Sequence, residues 1–172
     1  MDTTALDLVA LTAASLSATS GGAVTDSGTL AIAGATTISA SGQDITLDQA
    51  ASTFGTLALT GANVAVTDAG ATDLGASTIS GTLGITSAGA VTDSGTLAIT
   101  GATTISASGQ DITLDQAAST FGTLALTGAN VAVTDAGALD LGATTVSGTL
   151  GYYLSGSGYR QWNLGDHRSD HD

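Results

Sequence analysis

Hydrophobic residues alternate with small polar residues in short stretches along most of the chain. The clearest pairs are Leu30 and Ile32, Ile45 and Leu47, Leu57 and Leu59, and Val64 and Val66. Alternation with a period of two places every second side chain on the same side of an extended strand. Gly, Asn, Asp and Ser separate the stretches, as turns require. The pattern therefore predicts many short strands, each with one apolar side.

The residue types favour strands over helices throughout. The chain of 172 residues contains 24 Gly and 30 Thr but no Lys, Glu or Pro. Gly, Thr and Ser are poor helix formers, and Lys and Glu, which commonly cover helix surfaces, are absent. The absence of Pro suits strands that must all donate their backbone N–H groups to a neighbour. The sequence therefore predicts an all-β fold.

A long internal repeat organises the chain. Gly22–Gly84 and Gly89–Gly151 align without a gap, at a period of 67 positions, and are identical at 59 of 63 positions. The stretch Ala5–Val24 loosely matches Ala138–Gly151 and Ala71–Val91, as the tail of a preceding unit would. The four differences between the units are Ala33/Thr100, Thr72/Leu139, Ser77/Thr144 and Ile79/Val146. The predicted division is a degenerate preceding repeat (residues 1–21), two repeat units (22–88 and 89–151) and a non-repeat C-terminal tail or cap (152–172).

Each unit subdivides at segments that end in aspartate. Asp26, Asp48, Asp68 and Asp93 follow one another at spacings of 22, 20 and 25 positions. Short strands at this spacing predict a parallel β-helix, or β-solenoid, in which each coil hydrogen-bonds to the next. We expect about 22 residues per coil, three coils per unit and about seven coils in all. At a coil spacing of about 4.8 Å, they form a rod of about 35 Å.

Small and aromatic residues fit specific places in such a coil. Phe54 and Phe121 are predicted to fill the interior of equivalent coils. Glycines at corners are predicted to allow a positive φ or a close approach between coils. These glycines are Gly28, Gly42, Gly55 and Gly61. The alternative fold is a β-sandwich of two domains, one per repeat unit, but sandwiches usually have aromatic core anchors and longer alternating runs than this chain contains.

The charge of the chain limits its partners. All 15 acidic residues are Asp, the only cations are Arg160 and Arg168, and the formal net charge is −13. Such a chain cannot neutralise a phosphate backbone, so no nucleic-acid partner is expected. No run approaches the roughly 18 apolar residues of a membrane-spanning helix, so no membrane span is expected.

Five aspartates recur in each unit and are the candidate cation ligands. They are Asp26, Asp44, Asp48, Asp68 and Asp73, followed by Asp93, Asp111, Asp115, Asp135 and Asp140. Carboxylates at turns suit Ca²⁺, but Asp also caps turns through the backbone and keeps a rod soluble. The glycine-aspartate nonapeptide of calcium-binding β-rolls is absent. The prediction is therefore no cofactor, with weak Ca²⁺ binding at the Asp-rich turns as an open alternative.

Paired carboxylates also raise the possibility of glycoside hydrolysis. Asp44 and Asp48 are the nearest pair, and they recur as Asp111 and Asp115. An active site copied in every unit is atypical, and the repeats offer no aromatic platform for a sugar. We therefore expect no enzymatic activity.

The C-terminal tail has a composition of its own. It contains every Tyr and the only Trp of the chain. An open solenoid end exposes unpaired strand edges that must be covered or joined. Tyr152, Tyr153, Tyr159 and Trp162 are therefore the candidate residues for capping the end or for assembly with another copy.

Several segments resemble the repeats of filamentous-haemagglutinin-like bacterial adhesins, often described only as β-strand-repeat proteins. The segments are GAVTDSGTLAI, GATTISASGQDITLD and ALDLGATTVSGTLG. The resemblance spans about Ala5–Gly151 and implies a right-handed parallel β-helix in a secreted or surface-attached filament. It provides no catalytic residues and implies a location outside the cell or at the bacterial surface.

Three functions follow as hypotheses. The first is a structural shaft in a bacterial adhesin, whose partner is the rest of a longer repeat array. The second is a self-assembling extracellular fibre subunit, whose partners are other copies stacked head to tail through their end coils. The third is a calcium-binding repeat or a polysaccharide-acting enzyme.

Overall fold

The computed structural model describes residues 4–155, and all regular structure within that range is β-strand. The strands are short and follow one another without a helix. Their bounds are β1 Leu6–Leu8, β2 Leu11–Ala13, β3 Leu16–Thr19, β4 Val24–Asp26, β5 Leu30–Ser39, β6 Ile45–Leu47, β7 Thr53–Gly61, β8 Val64–Asp68, β9 Thr72–Leu74, β10 Ser77–Ile79, β11 Leu83–Ser87, β12 Val91–Asp93, β13 Leu97–Ile99, β14 Thr103–Ser106, β15 Ile112–Leu114, β16 Thr123–Gly128, β17 Val131–Asp135, β18 Asp140–Leu141, β19 Thr145–Val146 and β20 Leu150–Leu154.

All strand pairings among these elements are parallel. Paired residues lie 17 positions (Thr123 and Asp140) to 22 positions (Ala31 and Thr53) apart in the sequence. The strands form a nine-stranded sheet, β1-β4-β6-β8-β11-β14-β16-β18 with β19 beside β16, and an eleven-stranded sheet that contains the others. The prediction of an all-β parallel solenoid is thus confirmed, with about eight coils.

The interior of the solenoid is a stack of aliphatic side chains. Val24, Ile45, Val64 and Leu83 pair in succession along the nine-stranded sheet, and each is at most 2% exposed. Most interior strands bury every second residue, because alternate side chains point to opposite faces. Phe54 and its repeat equivalent Phe121 are 5% and 6% exposed, so both fill the interior as predicted.

The repeat unit does not end after a whole number of coils. From Val24 through Ile45 and Val64 to Leu83 the chain completes three coils and advances 59 positions, which leaves 8 of the 67 in the period. Val91, the repeat equivalent of Val24, consequently pairs with Thr72 in the other sheet. Each unit therefore makes three complete coils plus part of a fourth. Its coils are on average shorter than the predicted 22 residues.

Equivalent strands of the two units exchange sheets in consequence. β4, β6, β8 and β11 lie in the nine-stranded sheet, whereas their equivalents β12, β15, β17 and β20 lie in the eleven-stranded sheet. β7 and its equivalent β16 exchange in the opposite direction. The spacing of the aspartate-ended segments does not give the coil length, because these segments do not occupy the same position in every coil. Asp26 and Asp93, for example, lie in different sheets.

Tight turns between strands depend on glycine at one position per unit. Gly42 and its equivalent Gly109 have φ values of 75° and 76°. Gly42 is the third residue of a turn in which the N–H of Gln43 donates to the carbonyl of Ala40 at 2.8 Å. A positive φ at this place is readily adopted by glycine, as predicted for Gly42.

The other predicted corner glycines serve close packing between coils. A Cβ on Gly28 would lie 2.3 Å from the backbone nitrogen of Ala10. A Cβ on Gly55 would lie 2.6 Å from the carbonyl oxygens of Ala33 and Gly34. At Gly61 the nearest atom would be 3.1 Å away, which is a milder restriction. Among the described glycines, a positive φ occurs at Gly42 and Gly109 alone.

Candidate functional site

The polar side chains of the solenoid form ladders that connect successive coils. At one corner, the backbone N–H and the Nδ2 of Asn63 donate to Oδ1 of Asp44 at 3.0 and 2.9 Å. The N–H and hydroxyl of Thr82 in turn donate to Oδ1 of Asn63, both at 3.1 Å. The ladder joins three coils and recurs in the second unit as Asp111, Asn130 and Thr149.

A second group of aspartates is buried at strand ends and caps the turn of the next coil. Asp26 is 6% exposed, and its carboxylate accepts hydrogen bonds from the N–H of Asp48 at 2.9 Å and of Gln49 at 3.4 Å. Gln49 returns a bond from its Nε2 to the Asp26 carbonyl at 3.2 Å. Asp93 forms the same contacts in the second unit. Burial raises the pKa of Asp26 and Asp93, although the backbone donors oppose that shift.

Asp68 lies in a buried polar cluster that only the first unit contains. Asp68 is 1% exposed and accepts from the N–H of Gly70 at 2.8 Å and from the hydroxyl of Thr72 at 3.1 Å. The Thr72 hydroxyl also lies 3.0 Å from Oγ of Ser87. Burial raises the pKa of Asp68, while the N–H and hydroxyl donors lower it.

The second unit has leucines where this cluster has hydroxyls. Leu139 and Leu154 stand at the positions of Thr72 and Ser87. Asp135, the equivalent of Asp68, keeps the bond from the N–H of Gly137 at 2.8 Å. Its Oδ2 is buried without a hydrogen-bond partner among residues 4–155. One substitution between the units thus removes a hydrogen-bond donor from a buried carboxylate.

Asp73 belongs to a third ladder, in which a carboxylate lies between hydroxyls of two other coils. Thr56 on the preceding coil donates to Oδ2 of Asp73 at 2.9 Å. From the following coil, Ser94 donates to Oδ2 at 2.7 Å and Thr92 to Oδ1 at 3.4 Å. The equivalent Asp140 accepts from Thr123 on the preceding coil at 3.0 Å. This ladder stabilises the stack through both neighbours of the aspartate.

Of the two carboxylates proposed for glycoside hydrolysis, Asp44 accepts hydrogen bonds from Asn63 of the next coil, whereas the exposed Asp48 contributes its backbone N–H to Asp26. Asp44 precedes and Asp48 follows the three-residue strand β6. Four residues of extended chain separate their Cα atoms by about 13 Å. Within the part of the chain that the structure describes, no three His, Asp, Glu or Cys residues are grouped to hold a metal ion.

The structure describes two of the four predicted assembly or capping residues. Tyr152 in β20 pairs with Val133 and is 6% exposed, and burial raises the pKa of its hydroxyl. Its neighbour Tyr153 is 43% exposed on the outer face. Tyr152 therefore belongs to the interior of the last described coil. Tyr159 and Trp162 lie outside the described residues.

Sequence reasoning missed the asparagine ladder and two buried serines. Asn63 and Asn130 are the only asparagines within the repeats and lie 67 positions apart. Their recurrence at the repeat period is the sequence feature that could have indicated a structural role. Ser52 accepts the N–H of Leu30 at 2.9 Å, and Ser119 accepts the N–H of Leu97 at 3.0 Å. Each serine satisfies a backbone donor at a corner where a neighbouring carbonyl does not.

These features define a β-solenoid repeat protein in which polar side chains connect the coils. The chain belongs to the family described as repeats of unknown function (DUF5649), which matches residues 1–60, 61–127 and 128–157. The second and third matches begin 67 positions apart, which is the period of the internal repeat. Comparison with curated proteins and with solved structures gives no significant match. In the described range, no helix has the length and hydrophobicity to cross a membrane.

Proposed function

We propose that this chain is a stretch of stiff, acidic shaft in a secreted or surface-attached bacterial adhesin. The main support is that the polar ladders of both units connect one coil to the next. A shaft needs these contacts because each coil packs only against its neighbours. The extracellular or cell-surface location and the adhesin role rest on the resemblance of the repeat segments to adhesin repeats.

The change of sheet between units also favours a shaft over a surface that binds along one side. Equivalent strands such as β4 and β12 lie in different sheets. A surface feature of one unit therefore reappears on another face in the next unit. Ligand recognition along one flat face would need the same residues stacked in register, whereas a spacer has no such requirement.

The charge of the shaft supports its separation from similar molecules. The described residues contain 11 aspartates and no Lys or Arg. Like charges on parallel rods repel one another over about 8 Å at physiological ionic strength. The acidic surface thereby discourages sideways aggregation of the rods.

The proposal includes no catalytic group and no cofactor. Asp44 and Asp48 lie at opposite ends of the strand β6, and Oδ1 of Asp44 accepts two hydrogen bonds from Asn63 of the next coil. Ca²⁺ acts in this proposal as a weak counterion. Circular dichroism melts in Ca²⁺ and in an equal concentration of Mg²⁺ test this point. We expect similar melting temperatures, and a much larger increase in Ca²⁺ would establish a specific calcium site.

A fibre subunit that stacks head to tail is the second candidate. It is favoured by the apolar residues that the first and last described coils expose: Val9 is 65%, Leu11 37% and Leu141 43% exposed. Sedimentation velocity and negative-stain microscopy of the purified chain separate the two functions. The shaft proposal predicts monomeric short rods, whereas threads one solenoid wide would contradict it and support the fibre.

A further inference from the structure

Two strands of the solenoid have an aspartate at their centre and are covered by a following coil. In β1, Asp7 pairs with Thr25 of β4. In β9, Asp73 pairs with Thr92 of β12. Both following strands read Val-Thr-Asp and continue with Ser-Gly. The following coil thus brings a Thr and a Ser hydroxyl to the aspartate in each case.

A third strand, β18, contains the equivalent aspartate, but no following coil covers it within residues 4–155. Asp140 accepts from Thr123 on the preceding coil, and no Thr or Ser of a following coil reaches it within residues 4–155. Leu141 is 43% exposed, whereas its equivalent Leu74 is 1% exposed beneath β12. The polar ladder and the aliphatic interior therefore both stop at the same strand edge.

We propose that the edge formed by β18, β19 and β20 is an attachment surface for a further coil of the same repeat. The first strand of that coil carries Val-Thr-Asp followed by Ser, in parallel register. Its Thr and Ser hydroxyls bond to Asp140, and the coil covers Leu141. This inference rests on the proposed shaft function and specifies the partner that the shaft accepts at this end.

The N-terminal coil of a second copy is a poorer match for this edge. β1, β2 and β3 correspond in sequence to Leu139–Leu141, β19 and β20. Stacking each of these strands on its equivalent brings Asp7 against Asp140, where the ladder needs a hydroxyl donor. Two carboxylates about 5 Å apart repel each other and lack a donor. A further repeat unit supplies hydroxyls at these positions.

The test uses the full chain and an extended chain in which residues 88–154 are repeated once between Leu154 and Ser155. The extension places a Val-Thr-Asp-Ser-Gly segment after β20. Asp140→Ala is introduced into both chains, and Asp73→Ala is the matched control because that aspartate already has both neighbours. Thermal melts followed by circular dichroism report the effect of each substitution.

We expect Asp140→Ala to lower the melting temperature of the full chain less than Asp73→Ala does. The difference should be about 2–4 °C for each missing hydrogen bond. In the extended chain the two substitutions should have equal effects. Equal effects in the full chain would overturn the proposal, because another group, such as the tail or a second copy, would already donate to Asp140. An Asp140 effect that the extension leaves unchanged would also overturn it.

Particle length separates this inference from the shaft function. Negative-stain images of the extended chain should show one rod that is longer by about 16 Å, the height of three and a third coils. A longer rod with an unchanged Asp140 effect would refute only the attachment contacts. A particle that grows in width and not in length would refute the shaft itself.

Discussion

At the scale of single residues, the solenoid tolerates polar atoms in its interior at defined places. Thr36 and its equivalent Thr103 are 0% exposed, and their hydroxyls have no hydrogen-bond partner among the described residues. Thr36 pairs with Leu16 on one side and Leu57 on the other, so its surroundings include aliphatic side chains. An unpaired buried hydroxyl costs about 1–3 kcal/mol.

Replacing this hydroxyl with a methyl group is therefore expected to stabilise the protein. Thr36→Val and Thr103→Val should each raise the free energy of unfolding by about 1 kcal/mol, because the side-chain shape is kept and no buried hydroxyl remains. Urea denaturation measures the change. Thr37→Val, on the neighbouring exposed position, is the control and should have little effect. A loss of stability at Thr36 would show that its hydroxyl has a partner.

The unpaired carboxylate oxygen of Asp135 leads to a second prediction at this scale. Leu139→Thr restores the residue that donates to the equivalent Asp68. We expect it to be more stable than the control Leu139→Val by about 1 kcal/mol, because both variants are β-branched and only Thr carries a donor. Equal stability of the two variants in urea would contradict the assignment of the Thr72 hydroxyl as the partner of Asp68.

At the scale of strands and turns, the distance between coils restricts which side chains the backbone can carry. Gly55 in β7 and Gly84 in β11 are both strand residues. A Cβ on Gly55 would lie 2.6 Å from two carbonyl oxygens, but the nearest atom to a Cβ on Gly84 is 3.8 Å away. The first glycine is needed for coil contact, and the second is not.

Alanine substitution separates these two roles. Gly55→Ala should destabilise the protein by about 1–3 kcal/mol, because the overlap with backbone atoms forces the coils to shift. Gly84→Ala should leave stability nearly unchanged or slightly raised, since alanine restricts the unfolded chain. Chemical denaturation of both variants provides the comparison, and equal losses would contradict the close coil contact at Gly55.

The strands were predictable from the sequence because their signals are local. Alternation over Ile45–Leu47 or Leu57–Leu59 predicts a strand, and the predicted positive φ of Gly42 is present. The face on which a strand lies depends on the number of residues in every preceding turn. Nothing local distinguishes Val24 in one sheet from Val91 in the other, since the residues that follow them are the same. The asparagine and serine contacts were not predicted because they join residues on different coils.

At the scale of the whole molecule, the charge is almost uniformly negative and three carboxylates are buried with raised pKa values. Burial is the main cause for Asp26, Asp68 and Asp93, whose ordinary pKa is 3.8. At pH values between 3.8 and the raised pKa values, the folded state binds more protons than the unfolded state. Stability therefore decreases as the pH rises through that interval.

The protein should consequently be more stable at about pH 4–5 than at pH 7. Added NaCl should raise the melting temperature at pH 7, where the carboxylates are charged, and raise it less at pH 4, where more of them are protonated. Thermal melts at the two pH values, with and without salt, measure both effects. Greater stability at pH 7 than at pH 4–5 would mean that hydrogen bonds to the charged carboxylates outweigh their burial and repulsion.

Each repeat unit should lengthen one slender rod. Small-angle X-ray scattering of the full chain, and of chains with one and two additional copies of residues 88–154 after Leu154, tests it most directly because the tail is common to all three. The maximum dimension should increase by about 16 Å for each added unit, while the cross-sectional radius stays constant. An increase in cross-section, or a dimension that follows the cube root of mass as in a globular protein, would contradict it.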